Sequence, residues 1–155
     1  MASVKDLIHR KPAFVASVSP LDRVVDAARE MSERRIGSLV VVDHACICGM
    51  LTKRDLLTRV VAERLDPAAT YVGEVMTRDA IVCRPETDLD DCKRIINSFR
   101  VRHLPVVDEE GHVVGIVTAG DILHRELAEQ GEAIETLQAY IYGSFAFSGN
   151  GGDIN

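Results

Sequence analysis

Tryptophan is absent and aromatic residues make up only 5% of the sequence, yet 46% of its 155 residues are hydrophobic, the balance of an ordinary globular protein. Long apolar runs are missing as well. Nothing approaches the roughly 18 residues that a membrane span requires, and the opening MASVKDLIHRKP holds no apolar signal core. The cytosol is therefore the expected compartment, where the four cysteines stay reduced. Cys46 and Cys48 form only a C-x-C pair, with no histidine or second pair at ligand spacing, so no zinc site is expected. Excess positive charge is also lacking. A net charge of −6 and a pI near 5.3 argue against a general binder of nucleic-acid backbone. No P-loop, dinucleotide-binding glycine motif or H-E-x-x-H occurs, and no Ser or Cys nucleophile has a recognisable setting beside a base such as His103. Catalysis is not expected.

What is present is an internal repeat. Pro20–Asp43 aligns with Pro85–Asp108 at an offset of 65, and Gly49–Arg59 with Gly115–Arg125 at 66. Thirteen of these thirty-five positions are identical: Pro20/Pro85, Asp26/Asp91, Arg29/Arg94, Arg35/Arg100, Leu39/Leu104, Val41/Val106, Val42/Val107, Asp43/Asp108, Gly49/Gly115, Thr52/Thr118, Asp55/Asp121, Leu57/Leu123 and Arg59/Arg125. Chance would give about two or three. The change of offset falls between Asp43 and Gly49, where a turn tolerates a change of length.

Both copies read alike. Extended stretches, Phe14–Val18 and Ala80–Cys83, come first. A helix follows, with Pro20 near its first turn and Thr87 as the N-cap in the second copy. Its apolar side is Val24, Ala27, Ala28 and Met31, then Leu89, Cys92, Ile95, Ile96 and Phe99. Leu39–Val42 and Leu104–Val107 read as strands, each ending in Asp, and Ile47–Leu51 and Val113–Val117 as their hairpin partners. A second helix starts after Thr52 and Thr118, with Leu56, Leu57, Val60 and Val61 on its apolar side in copy one and Ile122, Leu123 and Leu127 in copy two. The fold class is α+β, built from two β-α-β-β-α repeats over 1–66 and 67–128. A unit of about 60 residues is marginal alone, so the sheets are expected to pack together around one core.

Thr52-x-x-Asp55 and Thr118-x-x-Asp121 have the form of helix caps, with the acidic side chain near the positive end of the helix dipole. An ionised carboxylate only accepts hydrogen bonds, so it can also take two sugar hydroxyls at once.

The recurring apolar strand ending in Asp, the Gly-apolar-apolar-Thr-x-x-Asp step and the helix after it resemble the CBS domain over about Val4–Ala128. The resemblance implies a pseudo-two-fold pair of repeats with two clefts between them, each able to hold AMP, ADP, ATP, S-adenosylmethionine or a related adenosyl ligand. It carries one site onto Thr52 and Asp55 with Ala80, Ile81, Val82, Val101 and Arg102. It carries the other onto Thr118, Gly120 and Asp121 with Val15, Ala16, Ile36 and Gly37. Apolar side chains would face the adenine. Lys53, Arg54, Arg102 and His103 would face phosphate, which makes the Thr52/Asp55 cleft the more basic of the two. The implied protein is a non-catalytic regulator, a homodimer acting on a partner protein, with an adenosyl compound as regulatory ligand and no catalytic cofactor. The other reading is a ligand-free dimeric adaptor.

From Ile122 to about Ile141, running past the end of the second repeat, Leu123, Leu127, Ile134, Leu137 and Ile141 follow helical spacing. This fits a helical extension over 129–142 that packs on its own domain or forms a dimer seam. The Gly- and Ser-rich stretch 143–155 reads as a disordered tail.

Overall fold

A computed structural model describes residues 2–10, 14–130 and 137, which fall into two compact units dividing between Thr118 and Ala119. In the first unit the elements run α1 (Val4–Ile8), β1 (Ser17–Val18), α2 (Val24–Arg34), β2 (Ser38–Asp43), β3 (Cys46–Thr52) and α3 (Lys53–Asp55). A π-helical segment, Leu56–Val61, continues α3, and α4 (Val72–Val75), α5 (Leu89–Phe99), β4 (His103–Val107) and β5 (Val113–Thr118) complete the unit. The second unit holds α6 (Ala119–Glu129), braced by an Arg125–Glu129 ion pair one turn apart at 3.1 Å. The expected extension over 129–142 and the tail 143–155 lie outside the described residues, apart from Glu129, Gln130 and Leu137.

The repeat extends to hydrogen-bond register. β1 pairs parallel with β2 through Val18↔Val41, and in the second copy the matching pair is the parallel bridge Cys83↔Val106. Ser38↔Thr52 and Leu39↔Leu51 in β2–β3 correspond to His103↔Thr118 and Leu104↔Val117 in β4–β5. Both hairpins carry an irregularity at the same step, between Val41 and Val42 and between Val106 and Val107. The length difference sits in the turns. His44 and Ala45 close the first hairpin in two residues, both at positive φ (49° and 65°), which suits the twist of the flanking strands. The second turn has one residue more and uses Gly111 at φ 87°. There Asp108 accepts the N–H groups of His112 and Glu110, which, with the His112 ring alongside, hold its carboxyl below the usual range.

Arg35 and Arg100 recur for a backbone reason. Each ends its helix in the left-handed conformation, at φ 55° and 53°. In copy one the N–H of Ile36 reaches the Met31 carbonyl at 3.0 Å and that of Arg35 reaches Ser32 at 3.3 Å, the paired bonds that close a helix C-terminus.

The core of copy one gathers Val18, Val24, Ala27, Met31, Leu39, Val41, Leu51, Val60, Val72, Val75 and Met76. Val40 points to the opposite sheet face and is also buried, so β2 is covered on both sides as its unbroken apolar run requires. Each buried Val, Leu or Met side chain among them contributes about 1.5–3 kcal/mol.

Three local expectations need correction. Helix α2 begins at Val24 rather than at Pro20, because the Ser19 N–H donates to the Asp22 carboxylate (2.9 Å) and its hydroxyl accepts from Leu21 (3.2 Å), closing a turn first. Asp88, not Thr87, caps α5; its side chain takes the Asp90 N–H, while the Thr87 hydroxyl takes that of Arg84. The extended stretches shrink to Ser17–Val18 and a single bridge at Cys83.

Each copy also has a leading helix that the sequence reading lacks, and each leading helix docks on the other copy. Val4 and Lys5 donate to the carbonyls of Thr87 and Pro85; Val72 and Gly73 donate to those of Asp22 and Pro20, the equivalent positions. Leu89 donates to Ala2, as Val24 does to Thr70. Ile8 sits against Gly115 as Met76 sits against Gly49. At Gly49 a Cβ would lie 2.6 Å from the Thr77 carbonyl oxygen and 2.9 Å from Met76 Sδ; at Gly115 it would lie 2.8 Å from Ile8 Cγ2. Urea unfolding is therefore expected to show Gly49→Ala and Gly115→Ala destabilised by about 1–3 kcal/mol, with Gly49→Ala the more severe because a backbone atom blocks it.

Candidate functional site

The best-defined polar cluster forms where β3 runs into α3. Thr52 ends the strand extended (φ −115°, ψ 162°) and serves as N-cap. Its hydroxyl accepts the Asp55 N–H at 3.2 Å, and Asp55 Oδ2 accepts both the Thr52 N–H (2.9 Å) and the Thr52 hydroxyl (3.0 Å). The capping reading of T-x-x-D is thus realised in copy one.

Asp55 does more than cap. It is 6% exposed, and its other oxygen, Oδ1, accepts the Thr77 hydroxyl at 2.9 Å. Arg59 Nε stands 3.8 Å from the same oxygen. The Arg59 guanidinium also donates to the carbonyls of Val75 (3.3 Å) and Met76 (2.9 Å), and Thr77 exchanges both backbone hydrogen bonds with Met50. One buried carboxylate therefore joins the helix start of copy one to the opening segment of copy two, just after α4.

The residues expected around it distribute as follows. Ala80, Ile81 and Val82, partly buried, follow Thr77 within a few residues. The parallel register of Cys83 with Val106 puts them at the same end of the second sheet as Val101, Arg102 and His103. Lys53, Arg54 and Arg102 are exposed, and none forms an ion pair with a described residue. His103 begins β4, opposite Thr118.

The second expected set is divided by the unit boundary. Thr118 ends β5, while Gly120 and Asp121 lie in the first turn of α6. Ala16 and Ile36 pack against the copy-one core, and the Ala16 carbonyl accepts from Val40. Val15 precedes β1, and Gly37 accepts the Lys53 N–H at 3.0 Å.

Two contributors escaped the sequence reading. Arg59 was visible as an identity with Arg125, but nothing in its spacing announced carbonyl partners sixteen and seventeen residues away. Thr77 left no signal at all. Its counterpart, counted from the leading helices, is His9.

The π-helical segment qualifies the expected apolar side. Its wide turns, closed by Ala62 N–H to the Leu57 carbonyl at 2.9 Å, bury Val60 but leave Leu57 and Val61 63% and 68% exposed. Among the described residues no helix is long and apolar enough to cross a membrane.

Comparison with known proteins gives a consistent picture. The CBS domain family matches residues 4–62 and 72–128. A CBS domain-containing protein of Bacillus subtilis, YhcV, is 34% identical over 130 residues, 84% of this chain and 89% of its own. A mitochondrial CBS domain-containing protein of Arabidopsis thaliana, CBSX3, is 32% identical over 80% of this chain, which spans 62% of that protein. The crystal structure of CBSX2 in complex with AMP superposes with a TM-score of 0.74 at 27% identity, covering 84% of this chain and 99% of the other. A CBS domain pair crystallised with 5′-methylthioadenosine and S-adenosyl-L-methionine does so with 0.68 at 26%, covering 79% and 97%.

Because Asp55 satisfies donors from two segments, Asp55→Ala is expected to lower the unfolding free energy by about 2–4 kcal/mol without any nucleotide present. Arg102→Ala, at an exposed position, should stay within about 0.5 kcal/mol of wild type. Parallel urea titrations would check both.

Proposed function

The chain belongs to the CBS-domain family, and from that premise we propose that it is a cytoplasmic, non-catalytic regulatory module that binds an adenine nucleotide beside Thr52 and Asp55. The observation that carries this reading is the juxtaposition of a buried carboxylate with Lys53, Arg54 and Arg102, exposed cations that form no ion pair with a described residue. Asp55 retains acceptor capacity on Oδ1, since Arg59 Nε at 3.8 Å is beyond hydrogen-bond reach. Lys53 and Arg54 open the helix next to it, and Arg102 stands exposed at the start of β4. A ribose on the carboxylate with phosphate toward these side chains satisfies both features, and Ala80, Ile81, Val82 and Val101 supply apolar surface for the base.

The same cations favour a phosphate-bearing ligand over S-adenosylmethionine, whose sulfonium would add positive charge where charge is already in excess. AMP in one structural relative and adenosyl compounds in another support the wider ligand class. Gly37 stands in copy one at the position that Arg102 holds in copy two, so of the two repeats it is the second that brings a cation to this strand entry.

Binding regulates by population shift. A ligand that prefers one arrangement of the repeats stabilises it by no more than its differential affinity, and a partner protein reads the result. Exposed Leu57 and Val61, one turn apart, give the module an apolar face suited to a homodimer. That face also favours the second reading, a ligand-free dimeric adaptor.

AMP, ADP or ATP is expected to raise the thermal midpoint, with Arg102→Ala reducing the ATP response more than the AMP response. No shift with any of these, nor with S-adenosylmethionine, would leave the adaptor. Native mass spectrometry is expected to find a dimer in the wild type and a monomer in Leu57→Arg.

A further inference from the structure

The donors on Asp55 are unevenly divided. Oδ2 takes two, both from Thr52, at 2.9 and 3.0 Å. Oδ1 takes one, the Thr77 hydroxyl at 2.9 Å. A carboxylate offers about four acceptor positions, so one remains, on Oδ1. A ribose brings two neighbouring hydroxyls. The first can use the open position, whereas the second finds the carboxylate full. The Thr52 donors are part of the helix cap and one of them is backbone, so they are costly to remove. The Thr77 hydroxyl is a side-chain rotor at a half-buried position, and its backbone is held independently by Met50. It is the donor that can leave while the fold stays intact.

We propose that the Thr77 hydroxyl is an internal stand-in for one ribose hydroxyl, occupying Asp55 in the unliganded protein and displaced by a ligand that carries a full vicinal diol. This rests on the reading of Asp55 as the sugar-binding carboxylate and assigns that site a specificity-determining residue and a mechanical output. Thr77 lies three residues before Ala80 and two after Val75, whose carbonyl Arg59 holds. Displacement therefore removes the direct hydrogen bond between Asp55 and the opening segment of copy two and leaves the Arg59 contacts to hold it. A 2′-deoxyribose, with a single hydroxyl in place of the pair, uses the open position and leaves Thr77 bound. The site would thus distinguish ribose from deoxyribose through an internal competitor as well as through direct contact.

The test crosses a protein change with a ligand change. Affinities of AMP and 2′-deoxy-AMP are measured by calorimetry on wild type, Thr77→Val and Thr77→Ser. Thr77→Val keeps the shape of the side chain and removes the hydroxyl, so AMP should bind about five- to tenfold tighter than to wild type while 2′-deoxy-AMP is unchanged. Thr77→Ser keeps the competitor and should match wild type for both nucleotides. Thermal unfolding verifies that each variant is folded; should Thr77→Val not fold, Thr77→Ala takes its place with the same expectation. Equal changes for the two nucleotides, or weaker AMP binding in Thr77→Val, would overturn the displacement while leaving the sugar reading of Asp55 intact. Binding of neither nucleotide to any variant would remove both.

Discussion

A helix of four or five residues cannot bury its apolar side by itself, and each repeat of this chain begins with one. Val4–Ile8 and Val72–Val75 find their cover on the opposite copy, through equivalent carbonyls and equivalent glycines. Much else follows from that exchange. Because α4 lies on copy one, Met76 reaches Gly49, Thr77 pairs with Met50, and the Thr77 hydroxyl arrives at Asp55. The polar cluster at the start of α3 is therefore a product of how the repeats interlock, although three of its members come from a single short stretch of sequence.

Much of the fold was legible because it is written twice. The Leu39–Asp43 and Leu104–Asp108 identities correspond to identical pairing registers, and the single-residue change of offset corresponds to turns of different length. The leading helices were illegible for the converse reason. They align only at an offset of 68, where Val4/Val72 is the one identity across either helix, and they are too short for periodicity to register. The start of α2 was misplaced because Pro20 fits a helical first turn as well as it fits the Ser19–Asp22 turn that forms. Recurrence alone also misleads about purpose. Arg35 and Arg100 recur as charges, yet what the two copies share is a left-handed backbone at a helix end, a position more often given to glycine.

At the candidate site the sequence revealed the parts that obey a local rule. Thr52 and Asp55 stand at capping spacing, and their mutual hydrogen bonds are a matter of helix geometry. Thr77 and Arg59 obey no local rule, since their partners are set by tertiary structure. Capping does not exhaust Asp55: the cap takes Oδ2 and leaves Oδ1 to the rest of the protein. That division lets one carboxylate contribute to stability and still have something to offer a ligand.

The interlocking of the leading helices bears on the ancestry of such a chain and on how it can be divided. Two separate single-repeat proteins trading their first helices would make a closed two-fold dimer with the same contacts, and joining them end to end turns that association into an intramolecular one. Cleavage between residues 66 and 67 would reverse the step. The N-terminal fragment would carry away the helix that its counterpart needs and lose the one that covers its own sheet. Neither fragment is then a domain in the usual sense, and each recovers a complete surface only by finding the other or by pairing with itself.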